Sequence, residues 1–380
     1  MIEKRQDAVI GNRIYWLDNL RTLMIFFVVL IHVGIVYESS GVGGFFWIVS
    51  DPSTINSIEI IDIIIDIFVM SVIFFIAGYL APLSLKNKKT WEFLKSKFKR
   101  IMVPWIIAVL TLIPIYKIIF LFSRNLPQES WTSYFHWSNG IWSQNWLWFL
   151  PVLYLFDILY LLLSRLNINI SKISIKGALG GFFLFGFIYS VCMDFFGGQG
   201  WTKTIFIDFQ NERLLIYFLI FLLGSLCFKH KTFESKEKSK KFYLIMTCSV
   251  WIPLTLYISF LYNSLLNPGK YIFSETIDLL FIQFSFLLSL LYLLYVMINT
   301  FRFYLNKSGK FLDEMNKNSY SVYIIHVIVL GGIALTMLDS GIPSLAKYLI
   351  LIISTYTTSN FVVYFYRKVF KSKILNFNGE

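Results

Sequence analysis

Residues 15–37 read YWLDNLRTLMIFFVVLIHVGIVY, an apolar run long enough to cross a bilayer as an α-helix. Arg21 and His32 lie eleven residues apart within it. At about 100° per residue, eleven steps make almost three turns, so both side chains share one helix face, about 16 Å apart along the axis. Ionisable groups at membrane depth are turned toward protein or a watery cavity, because lipid exposure costs a few kcal/mol at least. The pattern predicts a membrane enzyme or carrier.

The composition places the whole chain in the same class. Hydrophobic residues make up 57% of its 380 residues and charged residues 15%, compared with about 25% charged in soluble domains. The three cysteines show neither paired nor metal-ligand spacing, so a metal site is not predicted. No phosphate-binding Walker loop or dinucleotide-binding glycine motif occurs. We expect one integral membrane domain spanning residues 1–380.

Ten apolar runs are long enough, or nearly long enough, to span a bilayer. The sixth run is the shortest. The runs are 15–37, 55–83, 101–122, 146–163, 177–196, 214–228, 242–261, 276–299, 319–338 and 345–366. We therefore predict an all-α, polytopic membrane protein with about ten transmembrane helices.

The positions of the lysines and arginines predict its orientation. If the N-terminus is cytoplasmic, 27 of these 34 residues fall in cytoplasmic segments between the runs, and five fall in outer loops. This asymmetry follows the positive-inside rule and predicts that the N- and C-termini are both cytoplasmic. The net charge of +12 then lies where anionic lipid headgroups attract it, which favours the bilayer over nucleic acid as its partner.

Five motifs, in order along most of the chain, resemble the membrane-bound acyltransferase 3 family. The first helix carries LDNLR at 17–21 and a histidine eleven residues after Arg21. FFIAGYL at 74–80 is similar to the end of the family's second helix, with Ala77 at the place of its usual serine. The other motifs are KSKFKRIMVPW at 95–105, LWFLPVLY at 147–154 and NSYSVYIIH at 318–326. The closest resemblance is to the branch of glucan-modifying succinyltransferases.

The resemblance implies transfer of an acetyl or succinyl group from cytoplasmic acyl-CoA to a hydroxyl of an envelope carbohydrate, at the plasma or inner membrane. Acyl-CoA is then a donor substrate, and no permanently bound cofactor is expected. Arg21 suits a phosphate anchor because its planar fork binds phosphate oxygens in bidentate fashion. A neutral His32 suits a general base or an acyl carrier. The alternatives are an arginine that snorkels to the interface and a histidine that packs between helices.

Four further residues are candidates for the site. Lys97 and Arg100, one turn apart, add to the CoA phosphate site or else contact water and lipid headgroups. Asp62 matches the expected depth of His32 on a neighbouring helix and is a candidate to orient its imidazole. His326 is either a second polar group in the active cavity or a packing residue.

Tryptophans crowd the outer loop that leads into the fourth run, at positions 131, 137, 142 and 146, with position 148 just beyond. They indicate either an aromatic belt at the membrane interface or a platform on which sugar rings stack. The main rival function is a transporter or flippase of a lipid-linked or free carbohydrate, in which the same polar residues would line a path. The sequence leaves the oligomeric state open.

Overall fold

The computed structural model describes residues 13–39, 46–86, 88–135, 144–166, 172–233 and 237–377. Its α-helices, in chain order, are α1 Tyr15–Tyr37, α2 Ile58–Leu85, α3 Thr90–Lys97, α4 Val103–Ser123, α5 Phe149–Arg165, α6 Ile175–Phe195, α7 Asn211–Lys229, α8 Glu237–Ser249, α9 Trp251–Leu266, α10 Glu275–Tyr304, α11 Lys310–Met337 and α12 Ser344–Phe377. A π-helix, Phe98–Met102, joins α3 to α4. Short 3-10 turns occupy Trp131–Phe135 and Asn145–Trp148.

Ten helical stretches in the described part of the chain are long and apolar enough to cross a membrane. Each coincides with one of the ten predicted runs, so the prediction of an all-α polytopic protein is confirmed. The stretches are Tyr15–Tyr37, Ile58–Leu85, Thr90–Ser123, Asn145–Arg165, Ile175–Phe195, Asn211–Lys229, Lys240–Leu266, Glu275–Tyr304, Lys310–Met337 and Ser344–Val369.

The helices are often longer than the apolar runs that predict them. The ninth predicted run begins at residue 319, whereas α11 already begins at Lys310. The sixth run, 214–228, lies within the longer helix α7. The length of an apolar run corresponds only to the part of the helix that lies in the hydrocarbon core. Polar residues can continue the same helix beyond the core.

The third span contains a break in its regular hydrogen bonding. The π-helix Phe98–Met102 lies just before Pro104, which has no amide hydrogen for the carbonyl of Arg100 four residues earlier. The hydroxyl of Tyr320 on α11 donates to this carbonyl at 3.1 Å. The irregular turn thereby brings Arg100 against α11.

Helices α2 and α7 approach each other closely through two glycines. A Cβ atom added at Gly78 would lie 1.9 Å from the carbonyl oxygen of Phe221. One added at Gly224 would lie 2.3 Å from the carbonyl oxygen of Phe75. Small residues permit such backbone contact in membranes, where close packing drives helix association. Any side chain at either glycine would force the helices apart.

Cross-helix contacts agree with spans that alternate in direction. Asp66 meets Arg213 near the start of α2 and α7, and Tyr79 packs on Phe228 near their ends. Two spans that pair start to start and end to end run parallel, as the second and sixth spans of an alternating bundle must.

At the predicted outer end, a buried ion pair joins two distant segments. The ammonium of Lys347, at the start of α12, lies 2.9 Å from the carboxylate of Asp51, and each side chain is 2% exposed. Asp51 also accepts a hydrogen bond from the amide of Ser53 at 2.9 Å. A two-stranded antiparallel hairpin, β1 Trp201–Thr202 with β2 Phe209–Gln210, lies between α6 and α7.

Candidate active site

Helices α1 and α11 place two histidines in direct contact. Nδ1 of His32 and Nε2 of His326 are 2.7 Å apart, and the planes of the two rings differ by 11°. His326 is fully buried, whereas His32 is half-buried. Both were predicted as candidate site residues, and the structure brings them together as a hydrogen-bonded pair.

The backbone around His326 determines which nitrogens carry protons. Nδ1 of His326 lies 2.7 Å from the carbonyl oxygen of Tyr323 and 3.2 Å from that of Val322. A carbonyl oxygen only accepts, so this nitrogen is the donor and Nε2 of His326 carries the lone pair. His32 must then donate from its Nδ1, which leaves its own Nε2 as an acceptor. The pair fixes the His32 tautomer that a general base requires.

His32 lines a cavity of about 470 Å³. Its ring lies on Trp47, with centroids 4.9 Å apart and an angle of 35° between the planes. Val28, Ile31 and Ile35 of α1 continue the wall beside it. The histidine therefore lies at the edge of a partly open, largely apolar space with room for a small substrate group.

Aromatic side chains form another wall of this cavity. Trp148 meets Trp201 of the hairpin edge to face, with centroids 5.5 Å apart, and stacks with Tyr217 at 6.0 Å. Trp146 also lines the cavity, and its indole Nε1 donates to the carbonyl of Ile324 on α11 at 2.9 Å. The two tryptophans nearest α5 thus lie in the cavity wall.

The rest of the predicted tryptophan cluster is distributed differently. Trp131 is 60% exposed and does not line the cavity. Positions 137 and 142 lie outside the described residues. Of the predicted cluster, the two tryptophans at the α5 end line the cavity, together with Trp201 from the hairpin, and the stacking of sugar rings on them stays a prediction.

Polar groups converge on the same cavity from the hairpin. Asp208 accepts hydrogen bonds from the amides of Gln144 at 2.8 Å and Thr204 at 2.9 Å. Burial raises the pKa of Asp208 above its ordinary value, while those amide hydrogen bonds lower it. Lys203 and Gln210 complete this polar side. The lining combines aromatic faces with hydrogen-bonding groups.

Asp62 lies on another side of α1 from the histidine pair. A Cβ atom at Gly34 would lie 1.9 Å from Oδ2 of Asp62, so the carboxylate packs on this glycine. Gly34 is two residues from His32, about 200° around the helix. The hydrogen-bond partner found for His32 among the described residues is His326. The proposed role of Asp62 in orienting the imidazole is thus filled by another residue, because equal depth did not specify the helix face.

Arg21 lies at the predicted cytoplasmic end of the same pair of helices. Its Nη2 is 3.1 Å from Asp18 and 3.4 Å from the carbonyl of Asn316, and its Nε donates to Ser319 at 3.3 Å. Asp18 lies one helical turn before Arg21, so the pair is an i, i+3 contact on one helix face. Because α1 is one continuous helix, Arg21 and His32 lie about 16 Å apart along it.

Lys97 and Arg100 have different surroundings. Lys97 donates to Asp157 of α5 at 2.8 Å, and the Asp157 side chain is fully buried. Arg100 is exposed and lies near enough for its charge to act on Arg21. The structure therefore brings Arg100 toward Arg21, while the charge of Lys97 is engaged by a buried carboxylate.

Several cavity residues were not singled out by sequence reasoning. Trp47, Trp201, Asp208 and Tyr217 come from three separate segments, because Trp201 and Asp208 share the hairpin, and the cavity forms only when these segments meet. The available signal was the concentration of aromatic and acidic residues beside the ends of predicted spans. That signal does not identify which segments become neighbours.

Comparison with protein families decides the class of this protein. Residues 14–363 match the family model of acyltransferase 3, an acyltransferase domain. The chain belongs to the acyltransferase 3 family. No curated protein and no solved structure matches it.

Membership of the acyltransferase 3 family confirms the resemblance read from the five motifs. The protein is a multi-pass membrane acyltransferase. The match gives no support to the transporter alternative. In this acyltransferase, Arg21 and His32 lie on α1. His326, the partner of His32, lies on the parallel helix α11, which also contacts Arg21.

Proposed function

We propose that this acyltransferase moves a small acyl group, acetyl or succinyl, from cytoplasmic acyl-CoA to a hydroxyl of an envelope carbohydrate or related acceptor, in the plasma or inner membrane. The observation that carries the proposal is the histidine pair at a cavity wall, with Arg21 on the same helix. The glucan-modifying branch remains our prediction for the closest relatives.

The donor is proposed to enter from the cytoplasmic side. Arg21 and Arg100 supply positive charge for the CoA phosphates. One guanidinium group can donate two parallel hydrogen bonds to two oxygens of a phosphate. The distance of about 16 Å from Arg21 to His32 is comparable with an extended pantetheine arm. One donor molecule can therefore hold its phosphates at the arginines and its thioester near the cavity. Lys97 supports this region by neutralising Asp157 rather than through a free ammonium.

The proposed chemistry uses the free nitrogen of His32. Nε2 takes the proton of the acceptor hydroxyl as its oxygen attacks the thioester carbonyl carbon. A C–O bond forms, the C–S bond breaks, and the imidazolium returns the proton to the departing CoA thiolate. His326 acts as a positioning residue, since it accepts the Nδ1 hydrogen of His32. In the covalent variant of this mechanism, Nε2 itself attacks the thioester before the acceptor hydroxyl does.

The aromatic wall and the polar hairpin support a carbohydrate acceptor. Sugar rings pack their C–H faces on aromatic rings and exchange hydrogen bonds with polar side chains. Trp148, Trp201 and Tyr217 offer the first kind of contact, and Asp208 and Gln210 the second.

The test is acyl transfer by the purified protein in vesicles, from acyl-CoA labelled in its acyl group to an envelope glycan fraction. We expect labelled ester on the glycan, and mass spectrometry should find this ester in cells only when the protein is present. Consumption of acyl-CoA without an acylated glycan would contradict the carbohydrate acceptor. Absence of any acyl transfer, with protein that is correctly assembled, would contradict the donor as well.

A further inference from the structure

A second cavity, of about 510 Å³, lies between α6, α7, α9 and α10 beside the first. Two side-chain pairs form a wall between the two cavities. Asp66 lines the first cavity and Arg213 the second, and their side chains are 3.0 Å apart. Gln210 lines the first and Glu212 the second, and Gln210 donates to Glu212 at 2.7 Å. At these two places the cavities are separated by a single layer of paired side chains.

Two polar atoms at the second cavity lack a hydrogen-bond partner among the described residues. Oγ of Ser190 is buried without one, and the whole residue is 2% exposed. Nη1 of Arg213 is likewise buried without one, although its Nη2 binds Asp66. A buried donor left unpaired costs about 1–3 kcal/mol, so both atoms favour a ligand that brings acceptor oxygens.

The charges around the second cavity indicate the class of that ligand. Its lining contains four carboxylates and two basic side chains, so an anionic ligand would be repelled. The basic members are Arg213 and Lys270, and the acidic members are Asp194, Glu212, Glu275 and Asp278. A ligand that offers acceptor oxygens to Ser190 and Arg213 and hydroxyl donors to the carboxylates is a neutral polyol. Tyr257 and Phe286 also line this cavity, and the Arg213 guanidinium lies over the Phe286 ring, 4.4 Å from its centroid.

The base of the hairpin reaches both cavities. Trp201 and Gln210 line the first cavity, while Gln199, just before the hairpin, lines the second. The amide of Gly200 donates to Glu212 at 3.0 Å, which fixes this corner of the wall. Both cavities therefore lie at the same, predicted outer end of the bundle, where a glycan outside the membrane would arrive.

We propose that the second cavity binds a further sugar unit of the acceptor, so that the acceptor is a glycan chain of at least two units that passes over the wall of paired side chains from one cavity to the other. This inference rests on the proposed function, because it assigns the reacting unit of the same chain to the cavity of His32. The unit in the second cavity then adds contacts remote from the reacting hydroxyl.

The experiment uses neutral glucan oligosaccharides of one to four glucose units as probes, with the full-length protein in nanodiscs. Binding is measured directly, and acyl transfer from acetyl-CoA is measured in parallel. Leu261→Trp places bulk in the second cavity, and Leu266→Trp is the matched control on the same helix, because Leu266 is exposed and does not line the cavity. Ser190→Ala removes one unpartnered hydroxyl with little change of volume.

We expect four-unit chains to bind at least tenfold more tightly than one glucose unit, and Leu261→Trp to abolish this gain while the Leu266→Trp control retains it. Ser190→Ala should reduce the gain about two- to tenfold, the range for one hydrogen bond. Equal binding of one and four units, or a gain that persists in Leu261→Trp, would overturn the second sugar site. Chain-length-dependent binding without any acyl transfer would instead contradict the proposed function and leave the second site supported.

Discussion

Replacing His326 by leucine should slow acyl transfer without weakening substrate binding. The substitution removes the acceptor of the His32 Nδ1 hydrogen, which lies 2.7 Å away in the wild type. Leaving this donor unsatisfied costs about 1–3 kcal/mol, and each 1.4 kcal/mol corresponds to about a factor of ten. The tautomer with a free lone pair on Nε2 should become rarer by about 5- to 140-fold. We expect kcat to fall by that factor, with little change in KM for acyl-CoA.

His326→Gln is the matched variant, since its carboxamide oxygen can replace the lost acceptor. Transfer by His326→Gln should recover at least part of the loss, and both variants should assemble and elute like the wild type. The assay is steady-state transfer from labelled acyl-CoA across a range of donor concentrations. A leucine variant with wild-type kcat would refute the tautomer argument. Equal losses in both variants, accompanied by a higher KM, would mean that His326 serves packing alone.

Three other predictions concern the donor site, the buried ion pair and the topology. Arg21→Lys should weaken acyl-CoA binding because it loses the bidentate fork, and Arg21→Ala should weaken it more; equal affinity of Arg21→Ala and wild type in a binding titration would remove Arg21 from the donor site. Lys347→Met should lower the free energy of unfolding by about 3–5 kcal/mol because Asp51 keeps a buried charge. Adding Asp51→Asn to Lys347→Met should recover part of the lost free energy of unfolding, as measured by thermal unfolding. If the losses of the two single variants simply add in the double variant, the ion pair is not stabilising. With the native cysteines replaced, a cysteine at Ser130 should react with an impermeant thiol reagent in intact cells and one at Ser308 should not; the reverse pattern would invert the topology.

The sequence predicted the membrane spans well because their signal is local. About twenty apolar residues are needed to cross a bilayer, and the loop charges independently indicate direction. It also placed Arg21 and His32 on one helix face, since only the helical period is required. The ends of α11 and α7 were less accurate, because polar residues extend a helix without changing the apolar run.

The contacts between helices were beyond this kind of reasoning. His326 was a candidate, but its pairing with His32 depends on the parallel packing of two spans that are 294 residues apart at this point. Asp62 was assigned to the imidazole from depth alone, and its carboxylate instead packs on Gly34. The sequence gives the depth of a residue along the membrane normal. The rotation of the helix about its axis, which decides what each side chain faces, depends on neighbouring helices that a single sequence does not identify.

The central claim is that Nε2 of His32 carries out proton transfer at the cavity, and single-turnover acyl transfer by His32→Gln tests it most directly. The protein is loaded with labelled acyl-CoA in vesicles and then mixed with the glycan acceptor. We predict that His32→Gln assembles normally and binds acyl-CoA like the wild type, but transfers the acyl group at least about 10²-fold more slowly, the usual scale for loss of a general base. Near-wild-type transfer by well-folded His32→Gln would contradict the account.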